Sequence, residues 1–304
     1  MTTSETSWLR PVHMSTLSRA EGDRAHVGDF TDVRAAPTTR VLVLLGDTAP
    51  LDSDRRLIWR AGDDSLEDAK WAFLGRTSDG DALLAAVLAE GSEPPFTAPG
   101  GWASLRRIAG VLDADDVDAF VTALSVGRWL WDAPFCAGCG GETEVRDGGW
   151  SRRCPSCGRQ HFPRTDPAVI VAVTSSVDPD RLLLGNNALW EPNRFSCFAG
   201  FVEAGESAEA AVHREVVEES GIRVASLTYR GSQPWPYPRS LMLGYFAVAA
   251  DDSDALADGE EILSVRWFTR DEIRAGLDGT SELLLPGGAS IAHALIRDWC
   301  EGGP

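Results

Sequence analysis

Four of the six cysteines are packed into one short stretch, Cys136-Ala-Gly-Cys139 and, fourteen residues further on, Cys154-Pro-Ser-Cys157-Gly158. No other feature restricts the folding of this chain as strongly. Each C-x2-C turn brings two thiolates within reach of one ion, and two such turns close a tetrahedral shell of four sulfurs with no position open to water. A site of this kind is structural, and it supplies folding free energy to a small loop-rich module. Disulfides would suit a small secreted domain, but the chain has 304 residues and 43% hydrophobic content, enough for a substantial core and about two domains. A redox pair or unligated core cysteines are the competing readings, and the glycine after each pair favours metal. Cys197 and Cys300 have no metal-ligand neighbours and read as packing residues.

The cluster resembles a zinc ribbon of two facing knuckles, and composition breaks on either side of it, near Trp131 and near Pro163. The expected division is 1–131, 132–163 and 164–304. In the first part, residues 41–45 and 56–59 read as strands and residues 79–90 as a short helix with Leu83, Leu84, Val87 and Leu88 on its apolar side. Residues 116–131 read as a second helix leading into the cysteines. Beyond them, 168–174 and 181–185 read as paired buried strands joined by an Asp-Pro-Asp turn, followed by strands at 241–249 and 262–268 and a closing helix at 290–299. Trp8, Trp71 and Trp102 are expected in the core. Acidic residues outnumber basic ones 46 to 28, for a net charge of −18, which disfavours non-specific binding to DNA or RNA. Residues 1–13 contain no apolar run of signal-peptide length, and no later stretch approaches about 18 uncharged apolar residues, so a cytoplasmic protein without a membrane span is expected.

The chemistry is expected in Gly200-Phe-Val-Glu-Ala-Gly-Glu206-Ser-Ala-Glu-Ala-Ala-Val-His-Arg214-Glu215-Val-Val-Glu218-Glu219-Ser-Gly221-Ile222. Ser207 can cap a helix that runs to Ser220, where Gly221 supplies a left-handed stop. Glu215, Glu218 and Glu219 then stand at i, i+3 and i+4 and project from one face. Three crowded carboxylates call for a cation, and hard oxygen ligands at this density suit Mg2+ or Mn2+, which bind substrate phosphates at the same time. A guanidinium at Arg214 can hold one carboxylate through paired hydrogen bonds. Ala210, Ala211, Val212, Val216 and Val217 supply the apolar side that docks the helix. A solvated acidic helix is the alternative, but it gives no reason for Gly200 and Glu206 to stand in register with Arg-Glu and Glu-Glu-x-Gly.

This segment matches the Nudix box at every defined position, and Ser232-Gln233-Pro234-Trp235-Pro236-Tyr237-Pro238-Arg239-Ser240 resembles the array that marks NADH pyrophosphatases, which carry a zinc ribbon just before the Nudix domain. Prolines around Trp235 stiffen the backbone and present an aromatic face with little entropy left to lose; a proline-rich turn around a buried Trp is the other reading. The resemblance covers the chain well from about Phe135 onward. It implies an α+β Nudix fold, a mixed sheet sandwiched by helices, preceded by the ribbon and by a degenerate Nudix-like α/β domain used in dimerisation. It further implies structural Zn2+ on Cys136, Cys139, Cys154 and Cys157, and catalytic Mg2+ or Mn2+ on Glu215, Glu219, the Ala199 carbonyl and Glu261, with Glu260 as the fallback. Arg214 and Glu218 complete the catalytic set, with Glu218 or Glu219 as base. Phe162 and Phe201 match aromatics that sandwich the adenine, one from each subunit of a homodimer. Residues Gln233 to Ser240 (Gln233, Pro234, Trp235, Pro236, Tyr237, Pro238, Arg239, Ser240) and Ala292 match substrate contacts. The implied reaction is hydrolysis of NADH or NAD to nicotinamide mononucleotide and AMP, extending to NAD caps on RNA. Relatives of the enterobacterial type place an acidic substrate contact where this chain has Gly148 and Gly149. Hydrolysis of ADP-ribose or a diadenosine polyphosphate, and a catalytically dead zinc-ribbon binding module, are the alternatives. His161 and His213 read as surface or packing residues.

Overall fold

The computed structural model describes residues 15–28, 30–62, 66, 68–252 and 255–303; Trp8 lies outside them. The chain divides into two compact units, one within His13–Arg164 and one within Thr165–Pro304.

The first unit runs α1 (Glu21–Arg24), α2 (Thr31–Ala35), β1 (Arg40–Leu45), β2 (Thr48–Pro50), β3 (Trp59–Ala61), β4 (Lys70–Arg76), β5 (Ala82–Leu88), β6 (Trp102–Ser104), α3 (Leu105–Ile108) and α4 (Ala114–Asp132), followed by the small strands β7 (Glu144–Arg146), β8 (Ser151–Arg153) and β9 (Gln160–His161). Residues 79–90, expected as a helix, contain β5 instead. Every residue of Ala82–Leu88 is buried, because β5 is a central strand, parallel to β1 on one side and antiparallel to β4 on the other. A continuous apolar run gives no period by which a buried strand and a buried helix can be told apart. The strand expected at 56–59 begins only at Trp59; before it, Leu57 makes a single bridge to Leu51. Trp71 and Trp102 are half-buried, packed on the rim of this unit's core. Gly148 and Gly149 both adopt positive φ, and a Cβ on Gly149 would meet the Trp71 carbonyl at 2.8 Å. Steric demand against β4 therefore accounts for the glycine at this position.

The second unit runs β10 (Asp166–Thr174), β11 (Arg181–Asn187), β12 (Phe198–Phe201), α5 (Ala208–Ser220), β13 (Val224–Trp235), β14 (Ser240–Ala249), β15 (Ile262–Thr269), α6 (Arg270–Leu277) and α7 (Ile291–Cys300). Its sheet has the order β13-β14-β10-β11-β15 with β12 on β10, and the first unit's sheet repeats that plan as β4-β5-β1-β2-β6 with β3 on β1. Each has one parallel pair, β10 with β14 and β1 with β5. The two differ where the chemistry is expected. Between β12 and β13 lies the 13-residue α5, whereas β3 and β4 are joined by residues 62–69 alone, too few for such a helix. The N-terminal unit thus repeats the sheet plan of the second without room for a counterpart of α5.

Strand alternation divides the β10 side chains between two cores. Val169, Val171 and Val173 pack with Ala211, Val212 and Val216 of α5; Ile170 and Ala172 face Ile291, Leu295, Ile296 and Trp299 of α7. The mixed sheet is therefore sandwiched by helices, and burial on both faces explains why β10 reads as an unbroken apolar run. The docked face of α5 is narrower than expected, since Ala210 and Val217 point to solvent. Cys197 and Cys300 are buried as packing residues. No helix among the described residues is long and apolar enough to cross a membrane.

Candidate active site

Local sequence builds the α5 end of the site. Ser207 caps α5 by accepting the Ala210 N–H at 3.1 Å, and Gly221 closes it at φ 70°. Arg214 does more than hold one carboxylate. Its guanidinium forks onto both Glu206 oxygens at 2.9 Å, reaches Glu215 Oε1 at 2.7 Å and Glu218 Oε2 at 3.0 Å, and donates to the Phe201 carbonyl at 2.8 Å. These bonds, those to Glu206 foremost, raise the Arg214 pKa further and lower that of Glu206. Gly200 matters for a different reason: the Glu215 carboxylate lies over its Cα, where a Cβ would overlap it and push it aside.

The three box carboxylates do not share one environment. Glu218 is exposed beside Arg214, Glu215 is largely covered, and Glu219 is only 5% exposed. Burial, then the charges of Glu215 and Glu261, push the Glu219 pKa up to about 8. Burial also raises Glu215, against the pull of Arg214. The Ala199 backbone pulls the Glu219 pKa down against these effects, yet Glu219 Oε2 is buried with no hydrogen-bond partner among the described residues. Glu261 acts electrostatically on both Glu215 and Glu219; Glu260 is not among the charges that shift either. Asp258 Oδ1 holds the turn that presents Glu261, accepting its N–H at 2.8 Å. Crowded carboxylates with a raised pKa and an orphaned oxygen form a site short of positive charge, which is what a hard divalent cation supplies.

Beside this cluster is a cavity of about 460 Å³ whose lining includes Ala199, Gln233, Trp235, Met242 and Ala292. Of the expected substrate contacts, Gln233, Trp235 and Ala292 reach it. Gln233 also holds the fold together. It is only 5% exposed, and it donates to the Ala289 carbonyl and accepts the Ile291 N–H, both at 2.7 Å, which fastens α7 to β13. Pro234, Pro236, Tyr237, Pro238, Arg239 and Ser240 do not line the cavity. Pro234 is the penultimate residue of β13, facing away from Gln233, and 236–239 form the turn into β14. There Tyr237 packs on Trp235 with ring centroids 5.3 Å apart, and Arg239 pairs with Asp166 at 2.7 Å. Phe201 is 52% exposed and Phe162, in the other unit, 57%. Trp190, Arg194, Ile170 and Ser290 line the cavity without having been anticipated. The one sequence signal was a tryptophan in the loop between two strands.

In the first unit, the four cysteine sulfurs lie within 4.8 Å of one another, the only group of three or more potential ligands to converge so closely among the described residues. That geometry fits one tetrahedral zinc. His161 is more than a packing residue, since its Nε2 lies 3.2 Å from Cys136 Sγ. His213 is exposed.

The NADH pyrophosphatase zinc ribbon domain matches residues 132–162, and the NUDIX domain matches residues 164–286. The chain is 41% identical over 240 residues to the NAD-capped RNA hydrolase NudC of Mycobacterium bovis, covering 75% of each chain. It is 33% identical over 292 residues to the human NAD-capped RNA hydrolase NUDT12, covering 91% of this chain and 60% of that one. A solved Nudix hydrolase from Nitrosomonas europaea aligns with 56% of this chain and 94% of its own at 24% identity, with a TM-score of 0.38.

Proposed function

The chain belongs to the Nudix hydrolases that carry an NADH pyrophosphatase zinc ribbon, and from that premise we propose that it hydrolyses the diphosphate of NADH and NAD to nicotinamide mononucleotide and AMP, and removes the same dinucleotide from the 5′ end of RNA. The observation that carries this reading is the orphaned, buried Glu219 oxygen, crowded by Glu215 and Glu261, at the edge of a cavity of about 460 Å³.

Glu215, Glu219, Glu261 and the Ala199 carbonyl would hold Mg2+ or Mn2+. Such an ion, when bound, neutralises charge on the diphosphate and lowers the pKa of a water. The chain's own residues orient and exclude. Arg214 fixes Glu215 against Gly200, so its carboxylate is placed before substrate arrives. Burial keeps bulk water from Glu219, and Glu218 and Glu219 are the box carboxylates able to accept the proton of the attacking water. Gln233, by tying α7 to β13, sets the width of the cavity. The exposed rings of Phe162 and Phe201 suit stacking on adenine, one from each subunit of a homodimer. Zn2+ on the four cysteines is structural, and the cytoplasm is the proposed location. With a net charge of −18, a capped RNA would be recognised through its terminal dinucleotide rather than along its strand.

Chromatographic analysis after incubation with NADH and Mg2+ or Mn2+, beside a Glu219→Gln control, tests the reading. AMP and reduced nicotinamide mononucleotide are expected from the wild type and not from the variant. Intact NADH with both metals, from folded zinc-loaded protein, would overturn it.

A further inference from the structure

The loop between β11 and β12, residues 188–197, has no regular secondary structure yet is firmly held. Asn186, buried near the end of β11, donates both amide hydrogens to it, reaching the Glu191 carbonyl at 2.9 Å and the Arg194 carbonyl at 2.8 Å. At the loop's start the Ala188 N–H meets the Glu261 carbonyl at 2.8 Å, which links it to the carboxylate cluster. At its end the Phe195 N–H meets the Leu284 carbonyl at 3.0 Å. A side-chain amide spent on two loop carbonyls is a costly way to cover backbone unless the loop's position matters. The loop offers Trp190 and Arg194 to the cavity. Trp190 remains 40% exposed. The Arg194 guanidinium, the only charged group lining the cavity among the described residues, is paired through Nε to Glu191 at 2.7 Å. Two indoles from separate elements, Trp190 and Trp235, thus share one mostly apolar cavity.

We propose that Trp190, held in place by Asn186, is a specificity residue of this site that stacks on a planar heteroaromatic ring at one end of the dinucleotide. The inference rests on the dinucleotide hydrolase reading above. An indole face binds flat rings through stacking and dispersion, and base–aromatic stacking is commonly worth about tenfold or more in affinity. Trp190 stands on the β11–β12 loop, a different element from the α5 helix that carries Glu215 and Glu219. Its loss therefore weakens binding and spares the chemical step. Asn186 is a positioning residue that acts through the loop.

The test compares KM and kcat of wild type, Trp190→Ala, Trp190→Phe and Asn186→Ala on NADH and on ADP-ribose, which keeps the adenine and lacks the pyridine. For Trp190→Ala on NADH, KM rises about tenfold with kcat within about twofold. Trp190→Phe, which keeps a ring, recovers most of the loss, and Asn186→Ala raises KM in the same direction. A KM rise confined to NADH assigns the stacked ring as the pyridine; an equal rise on both substrates assigns it as adenine. Unchanged KM for Trp190→Ala on NADH, with wild-type turnover intact, overturns the proposal. Absence of wild-type turnover would instead strike the underlying function.

Discussion

Glu219→Gln should make the protein more stable at alkaline pH while it abolishes turnover. Burial and the nearby charges of Glu215 and Glu261 lift the Glu219 pKa from its ordinary 4.5 to about 8. The native state therefore holds a proton between those pH values that the unfolded chain has released. Where the native state binds more protons, stability falls as pH rises. Below about pH 4.5 both states are protonated and nothing is lost; above about pH 8 both are ionised and the loss is complete. At about 1.4 kcal/mol per pH unit of difference, the full loss is about 4–5 kcal/mol, and with Glu219 only 5% exposed solvent screening takes little from it. Glutamine resembles the protonated form and does not titrate. Chemical denaturation of both proteins, zinc-loaded but free of other divalent ions, should show a stability gap near zero at pH 4.5 that widens to about 4–5 kcal/mol by pH 9. Adding Mg2+ at pH 9 should close the gap by stabilising the wild type alone. A gap that does not change with pH would refute the claim that this carboxylate is held in a site short of positive charge.

Four further outcomes are expected. Gly200→Ala should cut kcat by about 100-fold by displacing the Glu215 carboxylate, with zinc content unchanged; wild-type kcat would contradict the overlap seen at that position. Arg214→Lys keeps the charge but loses the fork onto Glu206 and the reach to Glu215, so denaturation should show a loss of about 2 kcal/mol together with a lower kcat. Gln233→Ala strands the Ala289 carbonyl and the Ile291 N–H and should cost about 2–4 kcal/mol in denaturation; a cost under about 0.5 kcal/mol would deny the fastening role. Cys154→Ser should lower bound zinc and, in hydrogen exchange, expose residues 134–161 while protection of α5 and β14 persists.

The four-sulfur cluster and the α5 helix were legible without coordinates because each depends on short-range geometry. Two C-x2-C turns bring thiolates together wherever they sit, and Ser207 and Gly221 bound α5 through bonds and dihedrals made within a few residues. The family resemblance came from the same local patterns. Long-range packing decided the rest. Residues 82–88 are a strand because β1 and β4 flank them, which their unbroken apolar run could not reveal. Helical spacing put Glu215, Glu218 and Glu219 on one face, but only the docking of α5 on β10 and β12 left Glu219 buried with an orphaned oxygen and Glu218 in solvent. Gln233 lies in a proline-rich motif, yet its partners are 56 and 58 residues away on another element. Trp190 reaches the cavity because Asn186 pins its loop. Periodicity and spacing report what a residue does to its neighbours in the chain; burial, and the pKa and contacts that follow from it, are set by which surfaces the folded sheet brings together.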